Sequence, residues 1–201
     1  MERVWDAALD LVLERQIGLN WCWAATAKGI VDYYGGPQLP QCRYATHFLN
    51  QTESCCDGNE QSPRCDVAYD VDSVLRHFGL YAPPPFRRPV HLVTLRRELE
   101  RDRPVVALMR FRDGTVHALA ITAVDVTEQR IGFSDPWYGP QPDSRAAHVF
   151  ANDYEGGAGG STRSSRARRA RNPTRRSRSC TTSSARSKGG YRTMRVERAL
   201  R

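Results

Sequence analysis

The sequence predicts an α+β fold, with helices first and an antiparallel sheet after them. Three observations carry this reading. Apolar residues recur at helical spacing in several segments before Arg101; Pro104 forbids the continuation of the last of these; and from Val105 onward the pattern becomes that of short strands separated by turn residues. At 201 residues the chain can bury a real core, and its length argues for little more than one domain.

The first helix begins at Cys22. Trp23, Ala27, Ile30, Val31 and Tyr34 share a face, Gly35-Gly36 supplies the stop, and Asn20 is the expected N-cap. Gln41 to Asn50 reads as a short helix carrying Tyr44, Phe48 and Leu49, and is followed by a Cys-rich loop through Ser62-Pro63. Asp72 to Phe78 is a third helix, with Asp70 or Asp72 as cap and Gly79 as stop. Pro83-Pro84-Pro85 reads as a linker, and Thr94 to Arg101 as a helix with Leu95 and Leu99 on one face.

Val105 to Phe111 is then a strand, Asp113-Gly114 a hairpin turn, and Val116 to Val124 a nearly unbroken apolar strand of the kind buried on both faces. A loop at Asp125 to Gln129 leads to a strand at Arg130 to Ser134, and Ala146 to Phe150 is expected to add another.

Charge divides the chain. Residues 161–201 hold 14 Lys and Arg against the single acid Glu197, whereas residues 1–160 hold 16 basic and 21 acidic side chains. Low hydrophobicity with one sign of charge cannot offset the entropy of ordering, so the expected organisation is a domain over residues 1–157 and a disordered Arg/Ser-rich tail over 158–201. No stretch has the roughly 20 apolar residues of a membrane span, and Met1 to Arg15 lacks a secretory signal pattern. Cys42, Cys55, Cys56 and Cys65 fall within 24 residues. That density suits two disulfides in an oxidising compartment, with three pairings open, better than zinc, because no Cys-x-x-Cys pair or neighbouring histidine completes a metal set. The localisation is left open between export and the cytoplasm, and the reading calls for no metal or other cofactor.

Cys22 is the chemical feature of the first helix. A thiol in a first helical turn meets the positive end of the macrodipole and unpaired N–H groups, which favour the nucleophilic thiolate. Such a group needs a base. Of five histidines, His47, His77, His91 and His148 lie on polar helices or in loop and edge contexts, whereas His117 stands near the start of the most apolar strand, where an imidazole requires a partner. Asp135, in Phe133-Ser134-Asp135-Pro136-Trp137, is the candidate. A five-residue connection centred on Thr127 pairs positions whose numbers sum to 254, which sets His117 opposite Trp137 and Asp135 on the same face as a diagonal neighbour. A four-residue connection would shift the sum to 253 and throw Asp135 to the other face. Acyl transfer also needs oxyanion donors; the Gln16 amide and the backbone N–H of Cys22 are the candidates.

Gln16, Trp21-Cys22-Trp23-Ala24-Ala25, Gln41-Cys42, Cys55-Cys56 and His117 to Asp135-Pro136 together resemble the papain-like cysteine peptidases, in particular the bacterial branch allied to double-glycine leader peptidases and plant-pathogen avirulence cysteine proteases. The resemblance runs from about Gln16 to Tyr154. It implies a papain-like fold in which the nucleophile helix packs on a C-terminal antiparallel sheet, with Cys22 as nucleophile, His117 as general base and acid, Asp135 as its orienter, Gln16 as oxyanion donor and Trp137 as a shield over the His-Asp bond. It also implies hydrolysis of peptide or protein substrates through a thioester. An acyltransferase with the same residues is the nearest alternative; a nucleic-acid or anionic-surface binder acting through the basic tail is the other. After Phe150 to Gly157, where the resemblance calls for an aromatic-rich closing strand, the sequence turns into Arg and Ser, as a frameshifted or divergent end would. Loss of that strand would leave a sheet edge open.

Overall fold

Helix α1 (Cys22–Tyr33) forms where alanines and a single apolar face coincide, and it ends because Gly35 takes a φ of +72°. The Gly35 N–H then reaches Asp32 O and the Gly36 N–H reaches Val31 O, each at 2.9 Å, closing a Schellman motif. Every residue from Cys22 to Val31 is buried, including Lys28, whose ammonium is neutralised by Glu14 at 2.7 Å and Asp32 at 2.5 Å. The N-cap is Trp21, whose side chain makes no capping hydrogen bond. Asn20, expected in that role, instead donates its backbone N–H to Asp66 Oδ1 (2.7 Å) and its side-chain amide to Asp66 O (3.0 Å).

The computed structural model describes residues 4–86, 90–111, 115–152, 154 and 194–199. Helices α2 (Gln41–Phe48) and α3 (Val71–His77) follow α1, the latter capped by Asp70, which accepts the Ser73 N–H at 3.1 Å. They pack beside α1 around a core that includes Trp21, Trp23, Ile30, Tyr44 and Leu75. Helix α4 (Leu92–Leu99) buries Leu95 and Leu99 as its spacing requires.

A short strand β1 (Ala7–Ala8) and strands β2 (Tyr81–Phe86), β3 (Val105–Arg110), β4 (Val116–Asp125), β5 (Arg130–Ser134), β6 (Pro142–Ala146) and β7 (Met194–Ala199) form one antiparallel sheet in the order β2-β7-β3-β4-β5-β6, with β1 also paired to β4. The central strands are covered on both faces. Val106 and Ala120 join the α1 core, while Val105, Ala107, Leu119 and Ile121 join a second core with Leu95, Phe133 and Phe150. This accounts for the unbroken apolar run of β4.

Three further expectations change. Pro83–Pro85 are part of β2 and not of a linker: among the described residues β2 pairs with β7 alone, at the end of the sheet, where prolines without N–H groups are tolerated. Ala147–Asn152 is helix α5, preceded by β6, where a strand from Ala146 to Phe150 was expected; one helical turn brings Phe150 against Phe133 at 5.1 Å between ring centroids. The sheet position beside β3 is filled by β7, drawn from the segment expected to be disordered. The Asp113-Gly114 turn and residues 155–193 lie outside the described residues.

Candidate active site

The register between β4 and β5 sets the site. Asp125 pairs with Arg130 and Val124 with Ile131, so the connection is four residues, Val126 to Gln129, and not five. Asp125 stays in the strand because its carboxylate accepts the Glu128 N–H at 2.8 Å, and Gln129 closes the turn with a φ of +51°. Paired positions here sum to 255. A β-bulge at Thr122, between the pairs Ile121–Phe133 and Ala123–Gly132, restores the sum to 254 towards the far end. Gly132 is needed at this point, since a Cβ there would lie 2.8 Å from that of Ala123. The loop and the bulge offset one another, and Asp135 returns to the face of His117.

His117 Nε2 lies 2.7 Å from Asp135 Oδ1. The side chain of His117 also shares a hydrogen bond with that of Cys22, which leaves Nδ1 as the ring nitrogen turned to the thiol. Cys22 is in neither disulfide, is only 2% exposed, and opens α1, so its backbone N–H is one that the helix itself does not bond. Thr26, one turn along α1, donates its hydroxyl to Ala118 O at 3.1 Å and pins the helix to β4 beside His117.

Asp135 is saturated with donors. Oδ1 accepts from His117 and from the Trp137 N–H at 2.8 Å, and Oδ2 accepts from the Tyr154 hydroxyl. Burial disfavours its ionised form, but the hydrogen bond and charge of His117, with the Tyr154 and Trp137 donors, hold the carboxyl below its ordinary range. Burial likewise works against the imidazolium of His117; the hydrogen bonds to Asp135 and Cys22 and their negative charge overcome it and push His117 up to about 10. A cationic imidazole beside a thiol favours the thiolate. The arrangement is therefore suited to nucleophilic attack and proton return at one point.

Gln16 is placed firmly. Gln41, 1% exposed, accepts the Ile17 N–H (3.1 Å) and donates to Arg15 O (2.9 Å), and the Gln16 N–H donates to Pro136 O at 2.8 Å, joining this loop to the one after Asp135. Both N–H groups of the Gln16 amide are engaged, with Gly18 O at 3.0 Å and Leu19 O at 2.7 Å, while its Oε1 is buried without a hydrogen-bond partner among the described residues. Trp137 contributes its backbone N–H, but as a residue it is 47% exposed; the buried aromatic in contact with Asp135 is Tyr154. The four clustered cysteines pair as Cys42–Cys56 and Cys55–Cys65. The second bridge anchors the segment that grips the nucleophile's neighbours: Cys65 O accepts from the Trp21 indole (2.7 Å), Val67 O from the Trp23 indole (3.0 Å) and Asp66 from Asn20.

Tyr154 and Asp66 escaped the sequence reading, and Gln41 entered it only as part of Gln41-Cys42, without its bonds to Arg15 and Ile17. Tyr154 follows Phe150 by one helical turn, a signal concealed by reading that segment as a strand. Gln41 and Asp66 carry no local signal beyond their neighbours Cys42 and Cys65. Among the described residues no group of three or more His, Cys, Asp or Glu is arranged to hold a metal ion, and no helix is long and apolar enough to cross a membrane. A sequence model of a protein family described as papain-like cysteine protease AvrRpt2 matches residues 6–155. No curated protein matches the chain.

Proposed function

The chain belongs to the papain-like cysteine protease AvrRpt2 family, and on that footing we propose a thiol peptidase in which Cys22, His117 and Asp135 form the catalytic triad. The observation that carries the reading is the continuous hydrogen-bonded line from Asp135 through His117 to Cys22. The Cys22 thiolate attacks the scissile carbonyl carbon, forming a C–S bond and an oxyanion. As the tetrahedral species collapses, the C–N bond breaks and the His117 imidazolium gives its proton to the leaving amine. Neutral His117 then takes a proton from water, whose oxygen attacks the thioester carbon; collapse breaks the C–S bond, releases the new carboxylic acid and restores the Cys22 thiolate beside the His117 imidazolium.

The N–H of Cys22 is the first oxyanion donor in this scheme, at the positive end of α1. Gln16 is the second, and to serve it must exchange its bond to Gly18 O or Leu19 O for the substrate oxygen. Trp137 and Tyr154 cover the Asp135 end, Trp137 through its backbone and Tyr154 through a buried ring. The kinship with double-glycine leader peptidases belongs to this proposal too, supported by Gln16, Trp21-Cys22-Trp23-Ala24-Ala25, Gln41-Cys42, Cys55-Cys56 and His117 to Asp135-Pro136.

Labelling with an epoxide thiol-protease probe, followed by peptide mapping, tests the reading. The adduct is expected on Cys22, with cleavage of a protein substrate lost in step with labelling and absent in Cys22→Ala. A fully active Cys22→Ala variant would end the peptidase reading. Transfer of the acyl group to an added amine without release of free acid would replace it with the acyltransferase.

A further inference from the structure

Tyr154 is a buried group that thiol chemistry by itself leaves unused. It is 2% exposed, and its hydroxyl donates to Asp135 Oδ2, the oxygen left over once His117 and the Trp137 N–H have both taken Oδ1. Its ring is seated between Phe133 and Phe150, at centroid distances of 5.5 and 5.7 Å. Arg145 holds it from β6: Nη1 donates to Tyr154 O at 2.5 Å, and the guanidinium lies 5.3 Å from the ring centroid.

A donor seated this firmly on a carboxylate only 3% exposed limits two freedoms. It stops the carboxylate turning about its Cβ–Cγ bond, and it satisfies an oxygen that would otherwise be buried without a partner. We propose that Tyr154 is a positioning residue of the reactive centre, acting through Asp135 by keeping that carboxylate ionised and turned so that His117 donates from Nε2 and presents Nδ1 to Cys22. The inference rests on the triad proposed above. It also extends the functional unit to α5 and β6, because Phe150 and Arg145 set where the hydroxyl falls.

Removing the hydroxyl leaves Oδ2 unpaired, so the neutral acid gains ground and Asp135 loses part of its hold on the imidazolium. His117 should then titrate at lower pH, and Cys22 should require higher pH to ionise. The test is Tyr154→Phe in the whole chain, read by the rate of Cys22 alkylation with iodoacetamide against pH and by NMR titration of the His117 ring. Both curves are expected to shift in the directions stated, and kcat on a peptide substrate to fall about tenfold with KM little changed.

In an Asp135→Asn background the same substitution is expected to add nothing, because its target is gone; a role confined to packing would give additive losses. Arg145→Gln keeps the hydroxyl but loosens its seat, and is expected to shift both curves the same way by less; should Tyr154→Phe not fold, this variant decides the matter. Wild-type titration curves in the folded variants, or additivity in the Asp135→Asn background, would overturn the proposal. Alkylation and NMR need no turnover, so the two readings fail separately. A wild-type chain that cleaves nothing, with curves that still shift in Tyr154→Phe, removes the peptidase and leaves the role of Tyr154. An active wild type with unmoved curves does the reverse.

Discussion

His117 carries the proton in the proposed cycle, and its surroundings fix the pH range in which it can. Its folded-state titration lies near 10, above the ordinary value of 6.5. The stabilisation it draws from Asp135 and Cys22 is therefore complete below the ordinary value and is lost as pH rises through about 10. The alkaline limb of kcat/KM should accordingly fall near 10, far above the range of a free imidazole. Asp135→Asn removes the charge that holds the imidazolium, and is expected to move that limb towards neutral pH and to lower kcat/KM roughly a hundredfold or more. A pH–rate profile with its limb unmoved in the variant would show that Asp135 does not set the basicity of His117. The partnership of these two residues was legible in the sequence because strand side chains alternate with period two and the connection is short. The route was not: a four-residue loop and the Thr122 bulge each shift the register by one, and together they reach the face that a five-residue loop alone would have reached. Tyr154 was missed because its segment reads as a strand, which hides its place one helical turn after Phe150, and because its contact to Asp135 depends on the path of β6 and α5.

At the scale of elements, the loop between α2 and α3 acts as a clamp on the start of α1. Its Cys55–Cys65 bridge tethers the three residues that receive Asn20, Trp21 and Trp23, the sequence neighbours of the nucleophile. Gly18 completes the seat, since a Cβ there would lie 2.6 Å from the Trp21 ring. Replacing Cys55 and Cys65 together by Ser is expected to cost about 2–4 kcal/mol in denaturant unfolding and to slow Cys22 alkylation. The pair Cys42 and Cys56, which ties α2 to the loop but supplies no acceptor to Asn20, Trp21 or Trp23, is the control: a similar loss of stability with little change in alkylation. Equal slowing in both double variants would refute the clamp. The sequence pointed to two bridges from cysteine density, but the pairing depends on which Cβ atoms the folded loop brings together. The same holds for Asn20, whose side chain answers to Asp66 across the loop and not to the helix next to it. Pro83–Pro85 misled for a related reason: proline argues against a strand only where both edges must pair, and β2 pairs on one.

At the scale of the whole molecule, the sheet closes with a strand from the far end of the chain. Helices first and strands second was the order the sequence predicted, and the two-faced burial of β4 was visible in its unbroken apolar run. The return of residues 194–199 between β2 and β3 was not, because a short segment half made of Arg and Glu within an Arg/Ser-rich stretch reads as part of a solvated tail. This placement separates two roles along the sheet. Cys22, His117 and Asp135 belong to α1, β4 and the end of β5, on one side of β3, whereas β7 lies on the other. A chain ending at Gly157 loses β7 together with the 14 cations of residues 161–201. It is expected to melt about 5 °C or more below the full chain and to associate through the exposed β3 edge as concentration rises, while its folded fraction still alkylates at Cys22 at the full-length rate. Salt-sensitive retention on a polyanion column should disappear with the tail. Thermal melts and size-exclusion chromatography at several concentrations separate the outcomes: an unchanged melting temperature would mean that β3 needs no partner from the end of the chain, and lost alkylation in folded protein would mean that the reactive centre depends on β7 across the width of the sheet.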